Sequence, residues 1–294
     1  MNKIAIIGAG EIGGAIGSIL QKKGEQVFLW DKDETKIPDQ KPLNEIISEA
    51  EFVFFCVPSP ALRSAVSEII PFLNKETIVI SLPKGIEVGT LKKMDEILEE
   101  ILPKEQNFGI LGGAMLAEEL NKGLTGTSIL GTEKEETYRA FETLFSNTKI
   151  KTEFSNDVKS VAISGILKNI YAFAIGISDG LKWGGNQKGW LSSRCIKEMI
   201  DITEILEGNK EIILGSAGVG DFLATGFSPY STNHQMGKEL VKTGKCEKRS
   251  EGLISTPLII AILGEKANDF KILKALGQII VKGEKSDDVF KNLI

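Results

Sequence analysis

Residues 3–20 read Lys3-Ile-Ala-Ile-Ile-Gly8-Ala-Gly10-Glu11-Ile12-Gly13-Gly-Ala-Ile-Gly-Ser-Ile-Leu20. A short apolar run enters a glycine turn, and apolar residues then recur at helical spacing, so strand, turn and helix are expected in immediate succession. Each glycine has its own physical task. Gly8 permits a tight turn, Gly10 lets the backbone approach a pyrophosphate, and Gly13 lets the helix pack closely on the strand, with the helix N-terminus facing the phosphates. A second strand, Gln26-Val-Phe-Leu-Trp30, ends in Asp31. A carboxylate there accepts from an adenosine ribose 2′-hydroxyl and repels a 2′-phosphate, which favours NAD. NADP stays possible, because Lys32 follows directly and can turn toward a phosphate; a solvated turn over residues 31–33 accounts for the same charges without a ligand.

Short β-rich runs continue at residues 52–57, 77–82, 107–111, 127–130 and 149–154, separated by helical patterns. Such alternation predicts an α/β fold with a parallel, doubly wound Rossmann-type sheet. After Phe154 the strand signal nearly disappears and helical periodicity takes over. The expected organisation is therefore a dinucleotide-binding domain over residues 1–154 and an all-helical substrate domain over residues 155–294, with the active site between them. At 294 residues and 42% hydrophobic the chain can bury two cores, and a net charge of −5 offers no basic face to nucleic acid. Cys56, Cys195 and Cys246 have no paired spacing, which argues against a disulfide framework or a zinc site and for reduced thiols in the cytoplasm. Glycines break the N-terminal apolar run, so it reads as the first strand and not as a signal peptide.

The helical half carries one unusual charge. From Ser160 to Ser178 the sequence is almost wholly apolar, and Lys168 is its only formal charge. An ammonium buried on an apolar helix must find a partner or lose its proton, and either condition suits a general acid or base. The alternative is a lysine that snorkels to the helix rim. The stretch is interrupted by that charge and reads as short for a membrane span. Among the loops that end strands, Val57-Pro58-Ser59 is either a structural turn or a cofactor contact, Lys84-Gly85 places a cation after Pro83, and residues 112–119 turn into a helix start. His234 is the only histidine, and it reads as part of a polar loop, which disfavours dehydrogenase chemistry built on a histidine base. Asp221, in Gly218-Val-Gly-Asp221-Phe-Leu-Ala-Thr225, can hold the Lys168 ammonium or cap the helix that follows.

These residues together resemble the NAD(P)-dependent glycerol-3-phosphate dehydrogenase family over nearly the full length. The most specific segment is Leu167-Lys168-Asn169 followed by Asp179-Gly180-Leu-Lys-Trp-Gly184-Gly-Asn186; Leu29-Trp30, residues 57–59, Lys84-Gly85, residues 113–119, Arg194 with Glu198-Met199, residues 218–221 and Glu251-Gly252 support it. The resemblance implies that Lys168 is the general acid/base, assisted by Lys84 and Asp221, and that Asn169, Thr225, Asn233 and Lys84 bind substrate. It also implies a cofactor site of Gly8, Gly10, Glu11, Ile12, Gly13, Trp30, Asp31, Pro58, Lys84, Ala117 and Glu251, with no metal.

The chain departs from the family where the family reads Ser-Arg-Asn and this sequence reads Ser231-Thr232-Asn233. Loss of that guanidinium removes a strong phosphate ligand, which Lys238, Arg194 or His234 could replace. Met115-Leu116 and Gly185 are further departures, and the segment between Asp33 and Asn44 is short. Three readings follow. The first is reversible hydride transfer between NAD(P)H and dihydroxyacetone phosphate, giving sn-glycerol 3-phosphate for phospholipid synthesis in a cytoplasmic homodimer. The second is a related lysine-dependent dehydrogenase of another small hydroxy compound, and the third is a non-catalytic dinucleotide-binding sensor.

Overall fold

The computed structural model describes residues 1–293. Seven strands, β1 (Lys3–Ile7), β2 (Gln26–Trp30), β3 (Phe52–Phe55), β4 (Ile78–Ser81), β5 (Phe108–Gly112), β6 (Gly126–Gly131) and β7 (Ile150–Ser155), form one sheet in the order β2-β1-β3-β4-β5-β6-β7. Among them lie α1 (Glu11–Lys23), α2 (Leu43–Ser48), α3 (Leu62–Ile69), α4 (Met94–Ile101), α5 (Ala117–Asn121) and α6 (Glu135–Phe145). Then follow α7 (Val158–Gly180), α8 (Gly185–Ile205), α9 (Lys210–Leu214), α10 (Asp221–Phe227), α11 (Thr232–Thr243), α12 (Glu251–Leu263), α13 (Lys271–Lys282) and α14 (Ser286–Phe290). Packing divides the chain into two units, one of residues 1–83 and 92–162, the other of residues 84–91 and 163–294. The end of the strand signal marks the end of β7, whereas this division falls within α7 and assigns the Lys84 loop to the helical unit.

In the first unit the inner strands β3 and β4 are buried along their whole length, which is why their sequences are continuous apolar runs and not alternating ones. The edge strand β7 carries the exposed Lys151 and Glu153, charges that discourage pairing with another sheet. One pairing departs from the wholly parallel expectation: β6 runs antiparallel to β5. A parallel neighbour needs a crossover that carries the chain back along the sheet. The helix between them, α5, has 5 residues and spans only about 7–8 Å at 1.5 Å per residue, so the chain returns directly as β6. From β6 the longer α6 restores a parallel crossover to β7.

The second unit is built around α7. Val158–Gly180 is long and apolar enough to cross a membrane, contrary to the reading of the stretch as too short, yet its apolar window is wholly buried inside the protein. It is a core helix. Its Ile170, Phe173 and Ile177 join Met199 of α8, Phe222 of α10, Met236 of α11, Ile259 of α12 and Leu276 of α13 in one cluster. A buried carboxylate also ties this core together. Glu198 accepts from the Ile272 and Leu273 amides at the start of α13, at 2.8 and 3.0 Å, and from the Tyr171 hydroxyl at 2.9 Å. The carboxylate satisfies amides that a helix N-terminus leaves unpaired. Burial nevertheless pushes the Glu198 carboxyl above its ordinary range.

Candidate active site

The glycine loop has the form the sequence predicts. Gly8 has φ +102°, and its amide donates to the Trp30 carbonyl at 2.8 Å, linking the loop to the end of β2. A Cβ at Gly8 would lie 2.8 Å from the Cys56 carbonyl group, and one at Gly13 would lie 2.1 Å from the Gly8 carbonyl oxygen. Only glycine lets these backbones approach so closely. Gly10 is different: it is exposed, and a Cβ there would meet nothing within 4 Å. The space in front of Gly10 is what a pyrophosphate needs, and α1 starts at that point with no side-chain cap on its amides. Glu11 and Ile12 form the first turn of α1, Trp30 ends β2, Pro58 is exposed before the short 3-10 turn Ser59–Ala61, and Ala117 starts α5, which packs on α1. The first unit therefore gathers the glycine loop, Trp30 and Asp31, and its cradle fits a dinucleotide.

Asp31 is largely buried. It accepts from the Ala9 amide at 2.9 Å, from the Asp33 amide at 3.0 Å and from the Lys36 ammonium at 3.0 Å. Burial raises the pKa of this carboxyl, but those donors outweigh it and hold the pKa below its ordinary value. The sequence reading found Asp31 and considered Lys32; it missed Lys36.

In the second unit, Lys168 is 7% exposed and does not snorkel. Its Nζ lies 3.0 Å from Asp221 Oδ1 and donates to Thr225 Oγ1 at 2.9 Å, while the Thr225 hydroxyl donates to the same Asp221 oxygen at 2.9 Å. Lys84 Nζ meets the other oxygen, Asp221 Oδ2, at 2.6 Å. One carboxylate thus holds two ammoniums. Asp221 is the first residue of α10, but its side chain is committed to these lysines and not to capping the helix. The spacing of Asp221 and Thr225 places both on one helix face. A single π-type turn, Ser216–Gly220, leads directly into α10.

Burial lowers the Lys168 pKa from 10.5, Asp221 opposes that shift, and Lys84 adds to it; the result is about 8. Asp221 is itself buried, which raises its pKa, but the two ammoniums prevail and keep it ionised below its ordinary value. A lysine poised near neutrality beside a fixed carboxylate can both give and take a proton at working pH.

Asn169 is also drawn in. Its Nδ2 donates to the Lys84 carbonyl at 3.2 Å, and its Oδ1 accepts from Asn233 Nδ2 at 2.9 Å. Asn233 Oδ1 in turn accepts from the Gly252 amide at 2.8 Å, next to Glu251 at the start of α12. Asn233 therefore positions Asn169, with both ends of its amide engaged inside the fold. Two glycines make this closeness feasible: Gly165, which sequence reasoning passed over, and Gly252, which it quoted only as a motif match. A Cβ at Gly165 would stand 3.0 Å from Lys84 Cγ, and one at Gly252 would stand 2.4 Å from the Asn169 carbonyl oxygen. A glycine inside a long helix costs about 1 kcal/mol relative to alanine, and that cost was the available signal at Gly165.

His234 is not in a loop. Ser231 caps α11, its hydroxyl accepting from the His234 amide at 3.3 Å, so the polar residues form the first turn of a helix. The buried imidazole pairs through Nε2 with Asp179 Oδ2 at 2.7 Å. Of the other cations considered as phosphate ligands, Lys238 is exposed, and Arg194 lines a separate cleft of about 300 Å³ with Trp190, Asp201 and Phe270. Thr232 is exposed at the start of α11.

Comparison with known proteins shows the family and the fold. The family model described as the NAD-dependent glycerol-3-phosphate dehydrogenase N-terminus matches residues 3–45 and 34–138, and the model of its C-terminus matches residues 157–291. The glycerol-3-phosphate dehydrogenase [NAD(P)+] of Clostridium perfringens (strain SM101 / Type A) is 32% identical over 259 residues, covering 81% of this chain and 78% of the relative. That of Bacillus velezensis is 29% identical over 100% of this chain and 94% of its own length. The crystal structure of the Coxiella burnetii glycerol-3-phosphate dehydrogenase superposes with a TM-score of 0.89 at 23% identity, covering 99% of this chain and 98% of that one, and shows the same fold. The chain belongs to the NAD-dependent glycerol-3-phosphate dehydrogenase family and is an NAD(P)-dependent oxidoreductase acting on a CH–OH group.

Proposed function

We propose that this chain interconverts dihydroxyacetone phosphate and sn-glycerol 3-phosphate, with Lys168 as the general acid/base. The observation that carries the proposal is the buried Lys168, held by Asp221 and Thr225 with its pKa lowered to about 8. When bound, the nicotinamide supplies or receives the hydride. In the reducing direction the carbonyl carbon gains that hydride, the electron pair of the C=O bond moves to oxygen, and Lys168 Nζ donates the proton that makes it a hydroxyl. In the oxidising direction neutral Lys168 takes the hydroxyl proton as hydride leaves carbon. Negative charge on the carbonyl oxygen is largest between these states, and two ammoniums on one carboxylate provide the stabilising field. Asp221 keeps the Lys168 stem fixed, and Asn169 braces Lys84 through its carbonyl.

A phosphorylated product suits supply of the glycerol backbone of phospholipids, in the cytoplasm and from a homodimer. Exposed Leu223 and Phe227 on α10 are apolar surface that a second copy could cover. A mass in solution of twice 32.0 kDa would support the dimer, and 32.0 kDa would exclude it.

A second reading has one observation in its favour. Thr232 replaces the arginine that the resemblance places there, which suits a small hydroxy compound without phosphate. The test is oxidation of NADH and NADPH with dihydroxyacetone phosphate beside unphosphorylated dihydroxyacetone. Turnover with the phosphate ester alone is the expected result. Equal or better turnover of dihydroxyacetone would transfer the assignment to the second reading, and tight dinucleotide binding without turnover of either would favour a sensor.

A further inference from the structure

The carboxylate at the end of β2 is not the isolated anion that its position in the sequence suggests. Asp31 Oδ2 already accepts from two donors, the Ala9 amide of the glycine loop and the Lys36 ammonium, and Oδ1 accepts from the Asp33 amide. Its backbone is fixed as well. Gln40 Oε1 accepts from the Asp31 amide at 2.8 Å, and Gln40 Nε2 donates to the Asp31 carbonyl at 2.9 Å. The segment after β2 turns back on itself, with the Lys36 amide donating to the Asp33 carbonyl at 3.1 Å and Gln40 to that of Ile37 at 3.2 Å. This fold brings Lys36, rather than Lys32, onto the carboxylate. The Lys36 side chain is 46% exposed and that of Asp31 is 11% exposed, so the ammonium covers the solvent side of the anion.

A lone carboxylate at this place discriminates by charge, accepting a ribose 2′-hydroxyl and repelling a 2′-phosphate. Here the repulsion is neutralised by an adjacent cation. The two groups also differ in mobility. Asp31 is held by backbone amides on both oxygens, whereas Lys36 reaches it on a flexible four-carbon stem with three rotatable donors. A 2′-phosphate approaching from solvent would meet the ammonium before the carboxylate, and a phosphate of charge near −2 competes well for it.

We propose that Lys36 is the specificity-determining residue that admits 2′-phosphorylated dinucleotides to this site. Its ammonium rests on Asp31 when the ribose carries a hydroxyl and turns to the phosphate when the ribose carries one. The proposal rests on the reading that the glycine loop and Asp31 hold the adenosine half of the cofactor.

The experiment is fluorescence titration of NADH and NADPH into the whole protein, as wild type, Lys36→Gln, Lys36→Arg and Lys32→Gln, with 5′-AMP and 2′,5′-ADP as competitors. The wild type is expected to bind both dinucleotides. Lys36→Gln is expected to weaken NADPH and 2′,5′-ADP by about 10- to 100-fold, the worth of one charge-assisted contact, while moving NADH and 5′-AMP less than about threefold. Lys36→Arg is expected to retain NADPH binding. An unmoved ratio of NADPH to NADH affinity in Lys36→Gln, or the whole effect appearing in Lys32→Gln, overturns the proposal and leaves the loop assignment standing. A wild type that binds NADH and excludes NADPH overturns it as well. A folded wild type that binds neither dinucleotide, with folding checked by circular dichroism, overturns the loop assignment and the proposal together.

Discussion

The glycine loop and the lysine cluster are built by opposite strategies. The loop works by leaving side chains out: Gly8 and Gly13 let backbones touch, Gly10 keeps a space open, and the amides that start α1 carry no side-chain cap. The cluster works by forcing side chains in. Two ammoniums, a carboxylate and a hydroxyl converge in the helical unit, where every charge depends on its partner. Damage to the loop should therefore fall on affinity and spare chemistry, while damage to the cluster should fall on chemistry and, where it strands a charge, on stability.

The sharpest break in that comparison is Lys168→Ala. It is expected to lower kcat by about 10²- to 10⁴-fold, the usual worth of a general acid/base, with NADH affinity nearly unchanged in a direct titration. Substantial residual turnover would remove Lys168 from the chemistry. The wild-type pH profile sharpens the same assignment. Reduction needs the ammonium, so its rate should fall as pH rises through about 8; oxidation needs the amine and should rise through the same pH. A profile flat from pH 7 to 9 in both directions would contradict the proton-transfer role.

Asp221→Asn should rank next in kinetics and first in stability. Removing one partner of a buried ion pair costs about 3–5 kcal/mol, and here two ammoniums lose their shared anion. Thermal melting should show a marked drop in Tm together with the loss of turnover. An unchanged Tm would mean that the lysines find other acceptors.

Gly10→Val tests the loop. Gly10 has φ −74°, open to any residue, so the variant should fold, yet its side chain fills the space in front of α1 and should weaken NADH by about tenfold or more. Gly13→Val, by contrast, should fail to fold, because a Cβ there meets the Gly8 carbonyl oxygen. Equal behaviour of the two variants would erase the distinction between open and contact glycines. The smallest effect is expected from Gly165→Ala, where the added methyl presses on the movable stem of Lys84. A few-fold rise in KM with little change in Tm would fit, and no change in KM would separate Lys84 from substrate binding.

Much of the first region could be read in the sequence because its parts are neighbours in it. Strand, glycine turn, helix and second strand lie within residues 3–31, and local spacing alone dictates their arrangement. Even there the reading stopped short at Asp31. The partners that neutralise and hold it, Lys36 and Gln40, lie in a segment without periodicity, so no pattern announces where their side chains point. The direction of β6 was equally hidden. It follows from the length of α5 and from sheet pairing, neither of which leaves an alternation to count.

In the second region the sequence determined the candidates: a charged residue in an apolar helix cannot be neutral to the fold, and Lys168 stood out on that ground. Its partners come from positions 84, 221 and 225, and only tertiary packing brings them together. Asn233 and His234 show the same limit, since a polar stretch reads alike as loop or as the first turn of a buried helix until Ser231 caps it. The physical reason is range. Backbone geometry and periodicity are set by residues a few positions apart, whereas burial, which decides what charge a lysine carries, is a property of the folded whole.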